Sequence, residues 1–585
     1  MWTLGINHTV HESAVCLVRD DAIVFATAEE RLSRIKHDSD FPRRGIRAAL
    51  TAGGIEAAQV TAVGFSMPKP HVALLHDLFN VVRGKVSRSR WRSTGPVFSF
   101  VNAARSGGDG GRLAAALGDS LGIKTYFFNH HLAHAWSGAI MSADPVLAVL
   151  VMDGRGAREA TTIWTKEAGS LKLVEGKGFP DSLGLFYARI TQYLGFEPLA
   201  DEWKVMGLAP FGGPGLRMES FLRVTDDDYR VDGKRLLGKS GLDLSALEAA
   251  FGPARRLDEP ITDRHRAVAF AAQDAVEQAV VAMARRTVRL TGSRRLALAG
   301  GVAMNCKANG LILQQGIVDE LVVQPAASDE GSALGAAVAA QLVSNGAARF
   351  VPMTRVDFGQ DLDSVEAEQA LTTYKLPYVA VMDPAEAAAE RLAEGKIIGW
   401  FQGRSEYGPR ALGQRSILAD PRDVRVRDRV NAAVKFREEW RPFAPSVLEE
   451  HANEFFDGCT TSPFMILTFN ARPAALAKIP AVIHIDGTAR VQTVSRATNP
   501  LYWSLIRKFA DRTGVPVVLN TSFNLKGDPI VNTIKDAVQT FYTSGLDSLI
   551  IGRFCVDKSD LGGSAAQTSP DRITTQLPEV SGTRA

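Results

Sequence analysis

A strand, a polar loop and a hairpin occur twice in this chain in the same order, and that repetition constrains its fold more than any other feature. The first copy runs from Trp2-Thr-Leu-Gly-Ile6 through loop 7–13 to Ala14-Val-Cys-Leu-Val18, turns at Arg19-Asp20-Asp21 and returns as Ala22-Ile-Val-Phe-Ala26. The second runs from Leu147-Ala-Val-Leu-Val-Met152 through loop 153–159 to Ala160-Thr-Thr-Ile-Trp164, turns at Ala168-Gly-Ser170 and returns as Leu171-Lys-Leu-Val174. Short apolar, β-branched runs bounded by acidic or glycine turns read as strands, and helical patterns follow each copy. Used twice, such a unit predicts a duplicated α/β fold with a cleft between its halves, the polar loops facing one another across it, as in the actin-like ATPases.

Candidate metal ligands lie near this cleft. Asn129-His130-His131-Leu132-Ala133-His134-Ala135 follows the apolar run Thr125-Tyr-Phe-Phe128 and opens a helical pattern. Residues four apart share a helix face, so His130 and His134 can grip one ion. Asp153 closes the second apolar strand, and Asp329 opens the helical Glu330-Gly-Ser-Ala-Leu-Gly335. Two imidazoles with two carboxylates suit Fe(II), Mn(II) or Zn(II). Further on, Arg295-Leu-Ala-Leu-Ala299 reads as a strand running into Gly300-Gly301-Val-Ala-Met-Asn305. Paired glycines there allow a nucleotide to approach the backbone at a helix N-terminus, so Gly300, Gly301 and Asn305 are candidates for nucleotide binding.

After a linker at 345–360 a second α/β pattern begins, with strands expected near 377–382 and 396–401. Its chemistry is cationic: Glu406-Tyr-Gly-Pro-Arg410-Ala-Leu-Gly-Gln-Arg415-Ser416, then Asn431-Ala-Ala-Val-Lys435-Phe-Arg437-Glu-Glu-Trp-Arg441-Pro-Phe-Ala-Pro445, then Arg490 in Asp486-Gly-Thr-Ala-Arg-Val-Gln492. Guanidinium forks match phosphate and carboxylate oxygens, and lysine adds a point charge. Val515-Pro-Val-Val-Leu519 leads into Asn520-Thr-Ser522-Phe-Asn524, at the strand end where α/β sheets bind ligands. Together these residues suit ATP and a second phosphorylated molecule. The GxxxxGK[ST] loop is missing, so P-loop ATPases are excluded.

The charge balance of +3 argues for neither nucleic acid nor a membrane surface. Four scattered cysteines without CxxC spacing point to a reducing compartment. Neither an export signal nor an apolar run approaching about 18 residues is evident, so a cytoplasmic location is expected. From residue 557 onward the polar composition reads as a mobile tail.

With these residues in view, the sequence resembles the two-domain O-carbamoyltransferases, which modify aminoglycoside, cephamycin, novobiocin and ansamycin antibiotics and nodulation factors. The blocks that carry the resemblance are Glu29-Glu30-Arg31 with Lys36-His37, His130 to Ala135, Lys204-Val-Met-Gly-Leu-Ala-Pro210, Ala299 to Asn305, Asp329 to Gly335, Gly408-Pro-Arg-Ala-Leu-Gly413, Arg415-Ser-Ile-Leu418, Lys435 to Pro445, Asp486 to Gln492 and Asn520 to Asn524. The resemblance implies an N-terminal domain (1–355) similar to the actin-like tRNA threonylcarbamoyl-transfer protein, and a C-terminal domain (356–556) similar to threonylcarbamoyl-adenylate synthase. It implies that carbamoyl phosphate and ATP, with Mg(II), give carbamoyl-adenylate in the second domain, whose carbamoyl group then passes to a hydroxyl of a small-molecule acceptor in the first.

The implied roles are these. Lys435, Arg441, Arg410 and Arg490 hold the reacting oxygens, while Arg415, Arg437, Asn520, Ser522 and Asn524 contact the nucleotide or carbamoyl phosphate. His130, His134, Asp153 and Asp329 ligate a metal, Fe(II) by resemblance. His11 is the candidate general base, and Lys435 and Arg441 are the catalytic cations. Glu12 departs from the family's usual Asp, and Asp201-Glu202-Trp203 is bulkier than usual, which would reshape the acceptor pocket. Segment 68–112 is expected to shape that pocket too. A carbamoylating enzyme acting on tRNA, to which the basic run 83–92 could lend support, a non-catalytic nucleotide-binding scaffold and a sugar kinase are the competing readings.

Overall fold

The computed structural model describes residues 1–9, 11–67, 112–113, 123–156, 159–237, 243–346, 351–438 and 440–561. The run 83–92, nearly all of segment 68–112 and the tail beyond 561 lie outside them.

Both expected hairpins form. In the first half β1 (Trp2–His8), β2 (Ser13–Arg19) and β3 (Ala22–Ala28) make an antiparallel meander, and β4 (Val60–Phe65) and β5 (Lys124–Phe127) add in parallel beside β1. In the second half β6 (Leu147–Met152), β7 (Glu159–Glu167) and β8 (Ser170–Gly178) repeat the meander. A ribbon of β9 (Leu222–Val224) and β10 (Tyr229–Val231) follows, and β11 (Arg295–Ala299) and β12 (Glu320–Val323) then add in parallel beside β6. The orders β3-β2-β1-β4-β5 and β8-β7-β6-β11-β12 are the same pattern. Every residue of β6 is buried, as a strand covered on both faces must be, which explains its unbroken apolar run.

Two helices fill the space between the sheets. The helix Asp329–Asn345 lies against β1 and β4 and against the helix His130–Ala139, which in turn packs on β6 and β11. The crossing of the two helices is so close that a Cβ on Gly335 would lie 1.7 Å from the Ala133 carbonyl oxygen. The small-residue run GSALGAA is what lets these backbones approach.

The helix Asp263–Thr291 is long and apolar enough to cross a membrane, contrary to the expectation from counting unbroken apolar runs. In the fold, 72% of its most apolar window is buried inside the protein, against the helix Cys306–Gln314 and β6. All four cysteines are free and buried.

Residues from 351 strap the first domain, where Val351 and Met353 donate backbone N–H groups to the carbonyls of Asp21 and Ile140. The second domain is built on an eight-stranded mixed sheet of order β13-β22-β21-β14-β15-β20-β16-β19. Its members are β13 (Val379–Ala380), β14 (Ile398–Phe401), β15 (Arg415–Ala419), β16 (Ala444–Leu448), β19 (Gln492–Val494), β20 (Val517–Ser522), β21 (Ser548–Ile551) and β22 (Phe554–Asp557), with a separate ribbon of β17 (Thr468–Asn470) and β18 (Thr488–Arg490). Strands near 377–382 and 396–401 are present as β13 and β14. The two domains share one continuous apolar core, and polar ties cross it. Arg31 donates to the Gly408 carbonyl at 2.6 Å, Arg34 to the Ile530 carbonyl at 2.6 Å, and Asn309 to the Ile466 carbonyl at 3.0 Å.

Candidate functional site

The structure brings together all four candidate metal ligands from three elements. Asn129 caps its helix by accepting the Leu132 N–H, so the helix begins at His130, and His130 and His134 occupy one face of its first turns. Asp153 stands at the carboxyl end of β6, and Asp329 opens its own helix with its charge at the favourable N-terminus. His130 Nε2 is 3.0 Å from His134 Nε2, 3.2 Å from Asp329 Oδ1 and 3.6 Å from Asp153 Oδ2, and His134 Nε2 is 3.6 Å from Asp329 Oδ1. One donor atom from each residue lies within 4.8 Å of the other three, and all four residues are buried.

Two donors on opposite sides of one ion, each at about 2.1 Å, span about 4.2 Å, so small side-chain adjustments fit this set to a divalent metal. His130 Nδ1–H donates to the Ser66 carbonyl at 3.3 Å, which leaves Nε2 as the ligand atom. Burial alone would raise both carboxyls, but the neighbouring imidazoles hold Asp153 and Asp329 well below the ordinary carboxylate range. Burial likewise disfavours charge on His130, yet Asp329 and Asp153 outweigh it and push that imidazole up to about 10. His131 bonds Thr162 Oγ1 at 2.9 Å, and burial pulls it down to about 3, so the middle histidine is neutral and structural.

Both polar loops meet at this cluster. Thr9 Oγ1 donates to Asp329 Oδ2 at 2.7 Å, and the backbone N–H of Gly301 donates to Asp153 Oδ1 at 3.0 Å. Gly300 has φ +90, and a Cβ there would lie 2.3 Å from the Met152 carbonyl oxygen, so only glycine fits this turn. Asn305 is committed to the scaffold. It caps the helix Cys306–Gln314 through Ala308 N–H and exchanges two side-chain bonds of 3.0 Å with Gln273. His11 is half-buried in the loop that carries Thr9, its backbone N–H 3.5 Å from Thr9 Oγ1. Thr9 and the Ser66 carbonyl escaped the sequence reading; a hydroxyl between Asn7 and His11 in a cleft loop is the only trace Thr9 leaves there.

The second domain gathers its cations separately. A π-helical turn, Asn431–Lys435, delivers Lys435, and Phe436 follows in the left-handed region at φ +47. Lys435 Nζ is buried against the Ser522 carbonyl, Ser522 Oγ (3.3 Å), the Asn524 carbonyl (3.0 Å) and Asn524 Oδ1 (2.9 Å). Burial lowers its pKa well below that of an ordinary lysine, and Arg437 and Arg441 lower it further. Arg437 donates to Asn431 Oδ1 at 2.8 Å and stacks over Phe443; burial and then Arg441 and Arg490 depress its pKa as well. Burial pulls Arg410 down to about 9 with Arg490 beside it, and Arg441 to about 10. The Nε atoms of Arg410, Arg441 and Arg490 are buried without a hydrogen-bond partner.

Arg415 and Asn520 differ from this group. The Arg415 guanidinium is fully buried, stacked on Phe401 at 3.6 Å and bonded to the carbonyls of Gln360, Gln402, Gly403 and Gln414. It braces the fold and is not presented to a ligand. Asn520 donates to the Ala411 carbonyl at 3.2 Å and to Gln492 Oε1 at 2.9 Å, which holds the Arg410 loop in place.

Residues 2–67 and 112–338 match the family model described as the carbamoyltransferase N-terminus, and residues 389–558 match the one described as the carbamoyltransferase C-terminus. The chain belongs to the carbamoyltransferase family. It is an enzyme of that class, with the metal-compatible cluster in the region of the first model and the group of cations in that of the second. Nodulation protein NolNO of Sinorhizobium fredii is 39% identical over 590 residues, covering 98% of this chain and 82% of that protein. Nodulation protein NolO of Bradyrhizobium diazoefficiens is 43% identical over 452 residues, covering 74% of this chain and 79% of that protein. Among solved structures, T. kodakarensis HypF is similar over 59% of this chain and 48% of that one, with 12% identity and a TM-score of 0.35.

Proposed function

We propose that this carbamoyltransferase uses two sites in sequence. Carbamoyl-adenylate is made from carbamoyl phosphate and ATP at the second domain's group of cations, and its carbamoyl group passes to a hydroxyl of a small-molecule acceptor at the His–Asp cluster. The observation that carries this reading is the unbalanced charge of that group. Lys435, Arg437, Arg441, Arg410 and Arg490 influence one another electrostatically, yet among the described residues only Glu438 lies within ion-pair distance of any of them, 3.4 Å from Arg441. Buried cations without counter-charges are costly. A triphosphate with a carbamoyl oxyanion supplies the missing charge.

Water cleaves carbamoyl phosphate to carbamate and phosphate. A carbamate oxygen then bonds to the α-phosphorus of ATP as the bond to pyrophosphate breaks. Lys435, Arg437 and Arg441, with Arg410 and Arg490, hold the oxygens on which charge develops, and Ser522 and Asn524 keep Lys435 Nζ in place. At the first-domain site His11 takes the proton of the acceptor hydroxyl. The acceptor oxygen attacks the carbamoyl carbon, and AMP leaves. His130, His134, Asp153 and Asp329 would hold a divalent ion, which when bound supplies Lewis acidity and a template for phosphate oxygens. Fe(II) is the ion the resemblance favours. The nucleotide would approach the backbone at Gly300 and Gly301, beside Asp153. Retaining the adenylate within one chain keeps water from hydrolysing it.

Incubating the protein with carbamoyl phosphate, ATP and Mg(II), without acceptor, tests the reading. Pyrophosphate is expected, and Lys435→Ala should abolish it. Untouched ATP, or ADP as the only nucleotide product, would overturn the proposal.

A further inference from the structure

Trp203 and Arg441 come from different domains and meet face to face, the Arg441 guanidinium 3.8 Å from the centre of the indole. Apart from the charges of Glu438 and Asp201, Arg441 has little else to fix it. Its Nε is buried without a hydrogen-bond partner, and the bond to Glu438 Oε2 is long at 3.4 Å. An arginine has several rotatable bonds, so one weak bond leaves the plane of its guanidinium undetermined. Stacking on an aromatic face determines that plane.

Trp203 is itself held firmly. Its indole N–H donates to the Ala200 carbonyl at 3.0 Å, and it lies in the first turn of the helix Glu202–Leu208. The preceding loop is locked, with Leu199 at φ +69 donating its N–H to Glu202 Oε1 at 2.5 Å, and Asp201 bound to Lys204 Nζ at 2.7 Å. Farther along the helix, Gly207 faces Trp440, whose ring a Cβ there would approach to 3.4 Å, and the Phe196 ring lies 6.5 Å from that of Trp440. A first-domain helix therefore packs against the second domain's group of cations, and Trp203 meets one of them.

We propose that Trp203 is a positioning residue for adenylate formation: its indole face sets the plane of the Arg441 guanidinium, so the second domain's group of cations is complete only with this first-domain residue in place. The inference rests on the two-site reading above. Its consequence is that a side chain belonging to the transfer domain controls the rate of the activation step.

The test is acceptor-independent pyrophosphate release by the full chain, with kcat and KM measured separately. Trp203→Leu keeps an apolar side chain but loses the π face, and it should lower kcat about tenfold, whereas Trp203→Phe should stay within about threefold of the parent. In an Arg441→Lys background, Trp203→Leu should cost less than about twofold, because the group it positions is gone. Equal loss in the Leu and Phe variants, parental kcat in Trp203→Leu, or the same loss in both backgrounds would each overturn the inference. If the parent enzyme releases no pyrophosphate, the two-site reading itself fails, an outcome distinct from any of these.

Discussion

His130 and His134 turn their Nε2 atoms toward one another at 3.0 Å, with Asp329 Oδ1 3.2 Å from the first and 3.6 Å from the second. Two imidazole nitrogens at that separation repel unless a proton or a cation lies between them, and the carboxylates favour the cation. The protein is therefore expected to bind one divalent ion per chain. His134→Ala should remove it and abolish acceptor carbamoylation, while acceptor-independent pyrophosphate release persists. Metal analysis of both proteins, with the two assays, checks this; a full complement of metal in His134→Ala would refute it.

Thr9 reaches the same cluster from the first polar loop, donating to Asp329 Oδ2 at 2.7 Å. Removing a bond that orients a ligand typically costs about 10- to 100-fold in metal affinity. Thr9→Val should fall in that range in a chelator competition, with its melting temperature little changed.

The crossing of the helices His130–Ala139 and Asp329–Asn345 sets how far the two histidines stand from Asp329. Gly335→Ala places a methyl where the Ala133 carbonyl oxygen already is, and such overpacking costs about 1–3 kcal/mol or more. We expect a lower melting temperature together with weaker metal binding. Loss of stability with unaltered metal affinity would show that the cluster does not depend on this crossing.

Lys435 is buried beside other cations, so its proton is held more weakly in the folded protein than in the unfolded chain. Between the two pKa values the unfolded chain carries the extra proton, and stability accordingly rises with pH across that interval. A bound polyphosphate reverses the imbalance by favouring the charged lysine. ATP binding above the lowered pKa should take up a proton, seen as a dependence of binding enthalpy on the ionisation enthalpy of the buffer. Lys435→Met should lack this uptake; the same uptake in the variant would assign it to another group.

Arg415 and Arg490 should separate fold from function. Arg415→Ala strands four carbonyls around a buried void and should cost about 3 kcal/mol or more, lowering the urea midpoint. Arg490→Ala should leave the midpoint nearly unchanged and weaken ATP or carbamoyl phosphate binding at least about tenfold. The reverse pattern would exchange the roles assigned to these two residues.

Much of the first domain could be read from the chain because its signals are local. The two hairpins lie within stretches of about 30 residues, and short apolar runs bounded by turn residues announce them. The His130–His134 pair is an i, i+4 relation that any helix satisfies. The membrane-length helix shows the limit of such counting, since charged residues break its apolar run while burial, not an unbroken run, decides its place. Arg415 shows another. In sequence it is one more cation beside Arg410, and only the packing of Phe401 and the surrounding carbonyls separates the two.

The sequence by itself determined the duplicated strands, the family, the four candidate ligands and the cation-rich second domain, because each rests on residue type and short-range spacing. The tertiary structure alone decided that Thr9 holds Asp329 from 320 residues away, that Arg415 is a brace, and that Trp203 of one domain faces Arg441 of the other. Contacts of that range depend on how whole elements stack, and close packing of Gly335 on Ala133, or of a helix on a neighbouring domain, leaves no periodic mark in the chain.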